Sequence, residues 1–388
     1  MKNSRRSAAF IISRWIITKD FPANLLPEKG IDRAFIQDLV YTVIRRYRPL
    51  RSILSKLLKT WPKGELEALL YVGAAQILFM KDVPDFAAVN ETVEAAKECE
   101  NKNIAKVVNG VLRNLIRRRE EFESYLKNAS VEERESFPSE LYRRWVKRFG
   151  AETAEKLALW HNEPAETYLA YPLGRYVKLE RGKKVTEVPG FEEGEFIVQN
   201  PATYMAVEAM KVESGMKVLD ACAAPGGKTI QLAWAGAKVT ACEVNPKRRR
   251  KLIENLKRVH LEDKVEVVDS LEALRGREFD RVLVDAPCSN TGVLRRRADA
   301  RWNWSEEKLA ALVKLQAEIL DLAAPLVKKG GLLVYSTCSN EQEENVLQAD
   351  AFVARHPEFV KTGVGEIVPG TNDEDKDGAF EAELEKRC

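Results

Sequence analysis

The chain has 388 residues, of which 45% are hydrophobic and 31% are charged, and its formal net charge is +3. This length predicts two or three domains with sizeable buried cores. Because no apolar run approaches the roughly 20 residues that span a bilayer, and the charged N-terminus shows no signal-peptide pattern, we expect a cytoplasmic protein without a membrane partner.

The N-terminal third is predicted to be almost entirely helical. Apolar residues recur at three- and four-residue spacing, which is typical of helices with one buried face, in Ala8–Ile17, Ala34–Ile44, Leu66–Leu78 and Val107–Ile116. Prolines between these segments mark short connections. We therefore predict an all-α bundle of about six helices over residues 1–125, with a polar, Glu-rich linker at Glu120–Glu135.

Charge is unevenly distributed along the chain. Residues 1–150 contain 28 Lys and Arg against 19 Asp and Glu, a net of +9, whereas residues 351–388 carry a net of −4. A basic region attracts polyanions and raises their association rate. The N-terminal third is therefore a candidate nucleic-acid-binding region. The alternative is a stabilising appendage with a solvated basic face.

The rest of the chain changes pattern twice. Residues 138–165 are predicted to form two helices, and residues 166–200 form short β-like segments. Strands are then predicted at Lys217–Ala221, Lys238–Cys242, Lys264–Val268, Asp280–Val284 and Gly331–Ser336. Helices are predicted at Thr229–Ala235, Pro246–Val259, Ser305–Leu326 and Gln342–Arg355. Alternating strands and helices indicate a doubly wound α/β domain, so we place domains at 1–125, 126–200 and 201–388.

Acidic residues end the first three strands of this predicted sheet, where ligands bind in folds of this class. Asp220 precedes Pro225-Gly226-Gly227, whose glycines let the backbone pass close to a ligand. Glu243 ends the second strand, where a carboxylate can accept hydrogen bonds from ribose hydroxyls. Asp269 ends the third strand and can accept from an adenine amino group. These carboxylates suit a cationic sulfonium better than a polyphosphate.

Other nucleotide sites fit the sequence less well. Gly227-Lys228-Thr229 resembles the end of a P-loop, but that motif needs glycine where this chain has Cys222, and Pro225 disrupts the loop. A Rossmann dehydrogenase needs G-x-G-x-x-G, which is absent. Glycines that serve only a tight turn are the structural alternative.

The cysteines divide into two kinds. None of the six forms a C-x-x-C pair and the histidines are not clustered, so we expect no metal site. Cys222 and Cys242 fall on predicted buried strands, which is usual for free cysteines. Cys288 and Cys338 instead follow two predicted strands in matching settings. Two such thiols indicate covalent chemistry with an addition and an elimination step, as in methyl transfer to a pyrimidine base.

Four motifs resemble those of the NOL1/NOP2/Sun family of RNA cytosine-C5 methyltransferases, in that family's order: Asp220–Thr229, Asp285–Gly292, Arg295–Trp302 and Tyr335–Ser339. The resemblance covers roughly residues 196–388 and implies a Rossmann-like class I methyltransferase that uses S-adenosylmethionine. The helical region resembles a NusB-like domain at Asp32–Arg51, Ala88–Ala96 and Val107–Ile116. The combination is similar to bacterial members that methylate a cytosine in small-subunit 16S ribosomal RNA.

The resemblance implies a role for each catalytic residue. Cys338 is the nucleophile that adds to C6 and makes C5 enamine-like, and Cys288 assists release of the product. Asp285 binds the base edge and supplies or shares a proton at N3, with Lys228 as a further cation beside it. The implied cofactor-binding residues are Asp220, Ala223, Pro225, Gly226, Gly227, Lys228, Glu243, Arg248, Asp269 and Asp285.

Three segments carry further expectations. Residues 166–196 are short for the module that precedes the catalytic domain in this family, so we expect a truncated module. Ala379 replaces the first aromatic of the family's Asp-Gly-Phe-Phe motif, and the glutamates of Asp377–Lys386 favour an edge strand blunted by charge. The Arg295–Arg301 run is expected to contact phosphates near a flipped base, unless it is a solvated loop.

The residues leave other functions open. The same chemistry can act on another RNA, such as transfer RNA. A DNA cytosine methyltransferase fits less well, because that resemblance places the nucleophile at Cys288. A non-catalytic RNA-binding assembly factor would be expected to have lost Cys338 or Asp285, and this chain has both.

Overall fold

The computed structural model describes residues 3–19, 22–27, 32–99, 101, 103–371 and 375–387. The chain forms two compact units. The first comprises Met1–Asn162 together with Arg297–Asn303, and the second comprises Glu163–Arg296 together with Trp304–Cys388. Within the described ranges, no helix combines the length and apolar composition that crossing a membrane requires.

The first unit is helical. Its helices are α1 (Ser4–Thr18), α2 (Arg33–Arg45), α3 (Tyr47–Ser55), α4 (Glu65–Phe79), α5 (Asp85–Lys97), α6 (Asn103–Arg117), α7 (Arg119–Asn128), α8 (Val131–Arg134), α9 (Ser139–Phe149) and α10 (Ala151–Trp160). These elements confirm the predicted all-α bundle, which continues through α9 and α10.

Helix α4 lies at the centre of this unit. Every residue from Ala68 to Ile77 is buried, and a helix that is apolar all round is normally enclosed by others. Helices α1, α2, α5 and α6 all contact α4. Gly73 lets α6 approach closely, because a Cβ atom there would lie 2.4 Å from Leu112 Cδ1.

The Glu-rich segment Glu120–Glu135 is part of this unit, so its prediction as a linker is wrong. It forms most of α7 and all of α8. Phe122 is fully buried, and Glu135, which is 5% exposed, forms an ion pair with Arg46 at 3.0 Å. The polar composition of the segment indicated exposure to solvent and gave no sign of these buried contacts. The first compact unit therefore extends to Asn162 and does not end at residue 125.

A short segment from later in the sequence completes the first unit. Trp302 Nε1 donates a hydrogen bond to the Ile44 carbonyl at 2.9 Å. Arg301 is fully buried. Its guanidinium donates to the carbonyls of Ser136 and His161 and to Asn162 Oδ1, at 3.3, 3.3 and 2.9 Å.

The second unit begins with a small antiparallel sheet. It contains β1 (Tyr168–Tyr171), β2 (Arg175–Lys178) and β3 (Ile197–Val198), in the order β2-β1-β3. Leu169, Leu179 and Phe196 form its buried core. The segment predicted to be β-like therefore does form strands.

A seven-stranded sheet forms the centre of the second unit. Its strands are β4 (Lys217–Asp220), β5 (Lys238–Cys242), β6 (Val265–Val268), β7 (Phe279–Asp285), β8 (Val327–Thr337), β9 (Phe359–Ile367) and β10 (Ala379–Lys386), in the order β6-β5-β4-β7-β8-β10-β9. The helices that follow α10 are α11 (Tyr204–Ala209), α12 (Gly227–Trp234), α13 (Pro246–Arg258), α14 (Ala300–Asn303, in the first unit), α15 (Glu306–Ala323) and α16 (Val346–Arg355). The predicted doubly wound α/β fold is confirmed.

Strand β10 is internal, so the prediction of an edge strand at Asp377–Lys386 is wrong. It pairs antiparallel with both β8 and β9. Phe380, Ala382 and Leu384 alternate along one buried face. On the other face Glu383 pairs with Lys211. The alternating glutamates therefore mark the second face of a central strand.

The connections of the parallel strands place a crevice between β4 and β7. Strands β4, β5 and β6 follow one another outward, and the chain then returns to place β7 on the other side of β4. Such a reversal opens a crevice beyond the carboxyl ends of the two strands. Asp220 and Asp285 end these strands.

Candidate active site

The turn after β4 requires glycine at position 226 and is closely packed at Gly227. Gly226 has φ 109°, in the left-handed region that favours glycine. A Cβ atom there would lie 2.8 Å from Leu252 Cδ1, and a Cβ atom on Gly227 would lie 2.9 Å from Gln199 Nε2. Ala223 is buried before the turn and Pro225 is exposed on it. The backbone is thus held in one tight conformation at the start of α12.

Asp220 is a buried carboxylate with an unused oxygen. It is 1% exposed, and its Oδ2 accepts a hydrogen bond from Thr229 Oγ1 at 2.7 Å. Its Oδ1 has no hydrogen-bond partner in the described part of the chain. Burial raises the pKa of Asp220 to about 6. A buried acceptor without a partner is costly, so this oxygen suits a ligand that donates a hydrogen bond or carries positive charge.

Glu243 and Arg248 connect the end of β5 to this turn. Glu243 is 4% exposed, and its Oε1 accepts from the Asn245 amide at 2.9 Å. Arg248 Nε lies 3.4 Å from Glu243 Oε2, and Arg248 Nη2 donates to the Ala224 carbonyl at 2.9 Å. Arg248 therefore orients both the glycine turn and the Glu243 carboxylate.

Exposed side chains flank these groups. Asp269 follows β6 and is exposed, so its carboxylate is open to a ligand. Val244, next to Glu243, is 69% exposed.

Lys228 and Asp285 form an ion pair in the crevice. Lys228 Nζ donates to Asp285 Oδ2 at 2.6 Å, and the Lys228 side chain is 12% exposed. Burial acts to lower the pKa of Lys228, but attraction to Asp285 and to Cys338 outweighs it, so the pKa is raised. Lys228 therefore stays charged at neutral pH and holds Asp285 in place.

The two strand-end thiols are in contact. Cys288 Sγ lies 3.2 Å from Cys338 Sγ. Asn290 Oδ1 lies 3.4 Å from Cys338 Sγ, and Asn290 Nδ2 donates to the Cys288 carbonyl at 2.9 Å. The hydrogen bond to Cys338, followed by burial, raises the pKa of Cys288 well above its ordinary value. Cys288 is thus a protonated thiol beside Cys338 at neutral pH.

Close backbone contacts fix the turn that carries Cys338. The Gly292 amide donates to the Cys338 carbonyl at 3.0 Å, and the Gly378 amide donates to the Gly292 carbonyl at 2.8 Å. A Cβ atom on Gly292 would lie 2.7 Å from the Cys338 carbonyl oxygen, and one on Gly378 would lie 2.6 Å from Gly292 Cα. Ala379, which is 7% exposed, then begins β10. The Asp377-Gly378 segment therefore supports the turn that carries Cys338.

The other two strand thiols lie apart from the contact between Cys288 and Cys338. Cys242 is fully buried in β5, as predicted, and burial raises its pKa to about 12. Cys222 follows β4 and is half-buried, and burial raises its pKa as well. Both stay protonated at neutral pH, and protonated thiols are poor nucleophiles.

The structure contradicts the expected phosphate contacts for two members of the Arg295–Arg301 run, because Arg295 and Arg301 are buried, whereas Arg296 and Arg297 remain partly exposed. Three of its arginines form ion pairs with protein carboxylates and the last donates to buried groups of the first unit. The pairs are Arg295 with Asp375, Arg296 with Asp377 and Arg297 with Asp299. Each partner except Asp299 lies about 80 positions away in the chain, so local sequence could not reveal it.

Sequence reasoning also missed a buried pair behind Cys288. Glu344 and Gln316 are both fully buried, and Gln316 Nε2 donates to Glu344 Oε1 at 2.9 Å. Glu344 lies in the acidic segment Glu341–Glu344, which has the composition of a solvated turn. No local pattern distinguishes Glu344 from its neighbours.

Family comparisons match both parts of the chain. Residues 207–382 match a family described as 16S rRNA methyltransferase RsmB/F, and residues 2–117 match the NusB family. A ribosomal RNA small subunit methyltransferase B from Citrobacter koseri is 33% identical over 430 residues, covering 100% of this chain and 99% of that protein. A protein of the same name from Vibrio vulnificus is 32% identical over 426 residues, covering all of both chains.

A solved structure shares the fold over the whole chain. The crystal structure of PH0851 aligns with a TM-score of 0.77 and 22% sequence identity, and the match covers 100% of this chain and 99% of that chain. At this identity the likeness concerns the fold alone.

Proposed function

Because the chain belongs to the RsmB/F family of 16S rRNA methyltransferases, we propose that it transfers a methyl group from S-adenosylmethionine to C5 of a cytosine in 16S ribosomal RNA. The observation that carries this proposal is the contact of Cys288 with Cys338, 3.2 Å apart. A site of two adjacent thiols suits a reaction in which a covalent bond to the base is made and later broken.

The residues around the β4 turn fit S-adenosylmethionine. The unpartnered Asp220 Oδ1 suits a cationic group, and Glu243 and Asp269 provide acceptors for ribose hydroxyls and an adenine amino group. The glycine turn allows close approach of the backbone. Arg248 contacts both the turn and Glu243 and so holds them at a fixed separation. When bound, this cofactor supplies an electrophilic methyl group on a sulfonium.

Cys338 begins the reaction by adding to C6 of the cytosine. A bond forms between its sulfur and C6, and the electron pair of the C5–C6 double bond passes into the ring toward N3, which takes up a proton. C5 gains enamine character and becomes nucleophilic. Lys228 adds a buried positive charge to the crevice in which the base would lie. Asp285, held by Lys228, binds the base edge and shares the N3 proton.

Release of the product reverses the addition. Once C5 carries the methyl group, the C5–H bond breaks and its proton passes to a base. The electron pair restores the C5–C6 double bond, Cys338 leaves C6 as a thiolate, and N3 gives back to Asp285 the proton that it took up during addition. We assign Cys288 the assistance of this step, because its sulfur is in contact with the leaving sulfur.

Helix α6 supports contact between the first unit and RNA. Its buried face carries Ala105, Val108, Val111, Leu112 and Leu115. Lys106, Arg113 and Arg117 lie on the opposite, exposed face. Within the described part of the chain none of the three forms an ion pair with a carboxylate, so their charges remain available to phosphates.

Bisulfite sequencing of ribosomal and transfer RNA, from cells with and without this protein, tests the substrate. We expect one cytosine of 16S ribosomal RNA to lose protection in the deletion strain and to regain it with the wild-type gene, but not with a Cys338→Ala gene. A lost signal in transfer RNA alone would establish the same chemistry on a different RNA. Unchanged methylation in both RNAs would favour a non-catalytic assembly factor.

A further inference from the structure

The peptide groups on both sides of Cys288 are held by one buried side-chain pair. Glu344 Oε1 accepts from the Ser289 amide at 2.9 Å, and Glu344 Oε2 accepts from the Ser289 hydroxyl. Gln316 Nε2 donates both to Glu344 Oε1 and to the Pro287 carbonyl, each at 2.9 Å. Pro287 and Ser289 are the immediate neighbours of Cys288, so this pair restrains the loop before and after the thiol.

Glu344 is itself attached to the strand that leads to the other thiol. Tyr335 OH donates to the Glu344 carbonyl at 2.6 Å, and Tyr335 is fully buried in β8, three residues before Cys338. The backbone of Glu344 is thus tied to the Cys338 strand, whereas its side chain is tied to the Cys288 loop. Glu344 therefore links the strand that leads to Cys338 with the loop that carries Cys288.

Holding a loop with a buried carboxylate costs free energy, because the charged group is removed from water. Glu344 is fully buried, and within the described residues its side chain is bound by the Ser289 and Gln316 donors without a Lys or Arg partner. Desolvation of an ionised carboxylate is costly unless donors satisfy it. An apolar pair of similar volume would fill the same space but would leave the Ser289 amide and Pro287 carbonyl unbound.

We propose that Glu344 is a positioning residue that holds Cys288 against Cys338 for release of the methylated base. The proposal rests on the proposed function, since it needs a covalent adduct to be released. Glu344 does not reach the reacting atoms and acts through the Cys288 loop. Its loss should therefore slow elimination and leave addition and methyl transfer intact.

The test is Glu344→Gln in the full chain, with tritiated S-adenosylmethionine and 16S ribosomal RNA. The amide keeps the volume but replaces one acceptor oxygen with a donor, which opposes the Ser289 donors. We expect first-turnover methyl transfer within about twofold of wild type, and turnover about ten- to a hundredfold slower, the scale of a misplaced reacting group. A protein–RNA band that survives denaturing electrophoresis should accumulate.

Two further variants provide matched comparisons. Ser289→Ala removes one contact to Glu344 and keeps the amide contact, so we expect a smaller accumulation of the band. Asp350→Asn alters an exposed carboxylate of α16 and should behave as wild type. Thermal unfolding of each protein is measured alongside.

Each outcome has a distinct meaning. The positioning role would be overturned if Glu344→Gln turned over at the wild-type rate. It would also be overturned if the variant lost first-turnover transfer and turnover equally and was less stable to heat. If wild type transfers no methyl group and Cys288→Ala traps no RNA, the proposed function itself fails. Slow turnover with a trapped adduct in Glu344→Gln, beside an active wild type, supports the proposal.

Discussion

The ionisation of Asp220 makes the stability of the protein depend on pH, and one substitution can remove this contribution. Its carboxylate is 1% exposed, and burial raises its pKa from 3.8 to about 6. Between these values the unfolded chain has released the Asp220 proton while the native protein still binds it. Stability must therefore fall as the pH rises through this window, and above pH 6 the full cost remains. We predict that Asp220→Asn abolishes this contribution.

The magnitude follows from the change in pKa. Each pKa unit corresponds to about 1.4 kcal/mol, so the ionised carboxylate costs the native state about 3 kcal/mol at pH 7. At pH 5 the cost is about 1.6 kcal/mol, because the native carboxyl is mostly protonated there. The free energy of unfolding of Asp220→Asn, minus that of wild type, should therefore be about 1.3 kcal/mol larger at pH 7 than at pH 5.

Hydrogen exchange in urea measures this difference within the second unit. Peptides from β4 and β7 report the opening of the sheet around Asp220, independently of the first unit. The new buried amide changes stability by a similar amount at both pH values, so it cancels in the comparison. Asp263→Asn, at an exposed carboxylate of the same unit, is the control. A difference between Asp220→Asn and wild type that stays constant from pH 5 to pH 7 would refute the reasoning.

Three other predictions concern the proposed reaction. Cys338→Ala should form neither methylated RNA nor a covalent adduct, whereas Cys288→Ala should transfer the methyl group and remain attached to RNA, visible after denaturing electrophoresis. The double variant should lose that band, and trapping by Cys338→Ala with an inert Cys288→Ala would show that the roles are reversed. Glu243→Ala should weaken S-adenosylmethionine binding by about 1–3 kcal/mol, the cost of a lost buried hydrogen-bond partner. Calorimetry measures the affinity, with Glu262→Ala as an exposed control. If both variants bind as tightly as wild type, the assignment of Glu243 is excluded. Replacing Lys106, Arg113 and Arg117 with alanine should weaken RNA binding and lower the slope of log K against log salt by about 2, if each contacts a phosphate. The exposed residues Arg143, Lys147 and Lys156 form the control set, and equal losses in both sets would show that α6 is not a specific contact surface.

The parallel core of the second unit was predictable because its signals are local. Strand β5 begins and ends as predicted, at Lys238–Cys242, and the other parallel strands differ by a few residues. Buried parallel strands are short apolar runs between helical segments. Strand-end residues such as Asp220 and Asp285 then fall at the crevice by topology alone.

The errors arose where the partner of a residue is far away in the chain. The edge-strand prediction at Asp377–Lys386 considered only charge alternation, and β10 pairs with β8 more than 40 positions earlier. Arg295 was expected to contact a phosphate, but in the folded protein it forms an ion pair with Asp375. Glu344 is distinguished from Glu343 only by its contacts with Ser289 and Gln316. Composition cannot reveal such contacts, because each depends on the completed fold.

The segment Arg297–Asn303 also determines when the helical unit can be completed during translation. Arg301 and its acceptor Asn162 are 139 positions apart, a distance that a ribosome covers in on the order of ten seconds at about 5–20 residues per second. Until then the carbonyls of Ile44, Ser136 and His161 lack the donors that they have in the finished protein. The helices of the first unit therefore cannot make all their native contacts until Arg297–Asn303 has been synthesised. That segment lies in the sequence between the two parts of the second unit.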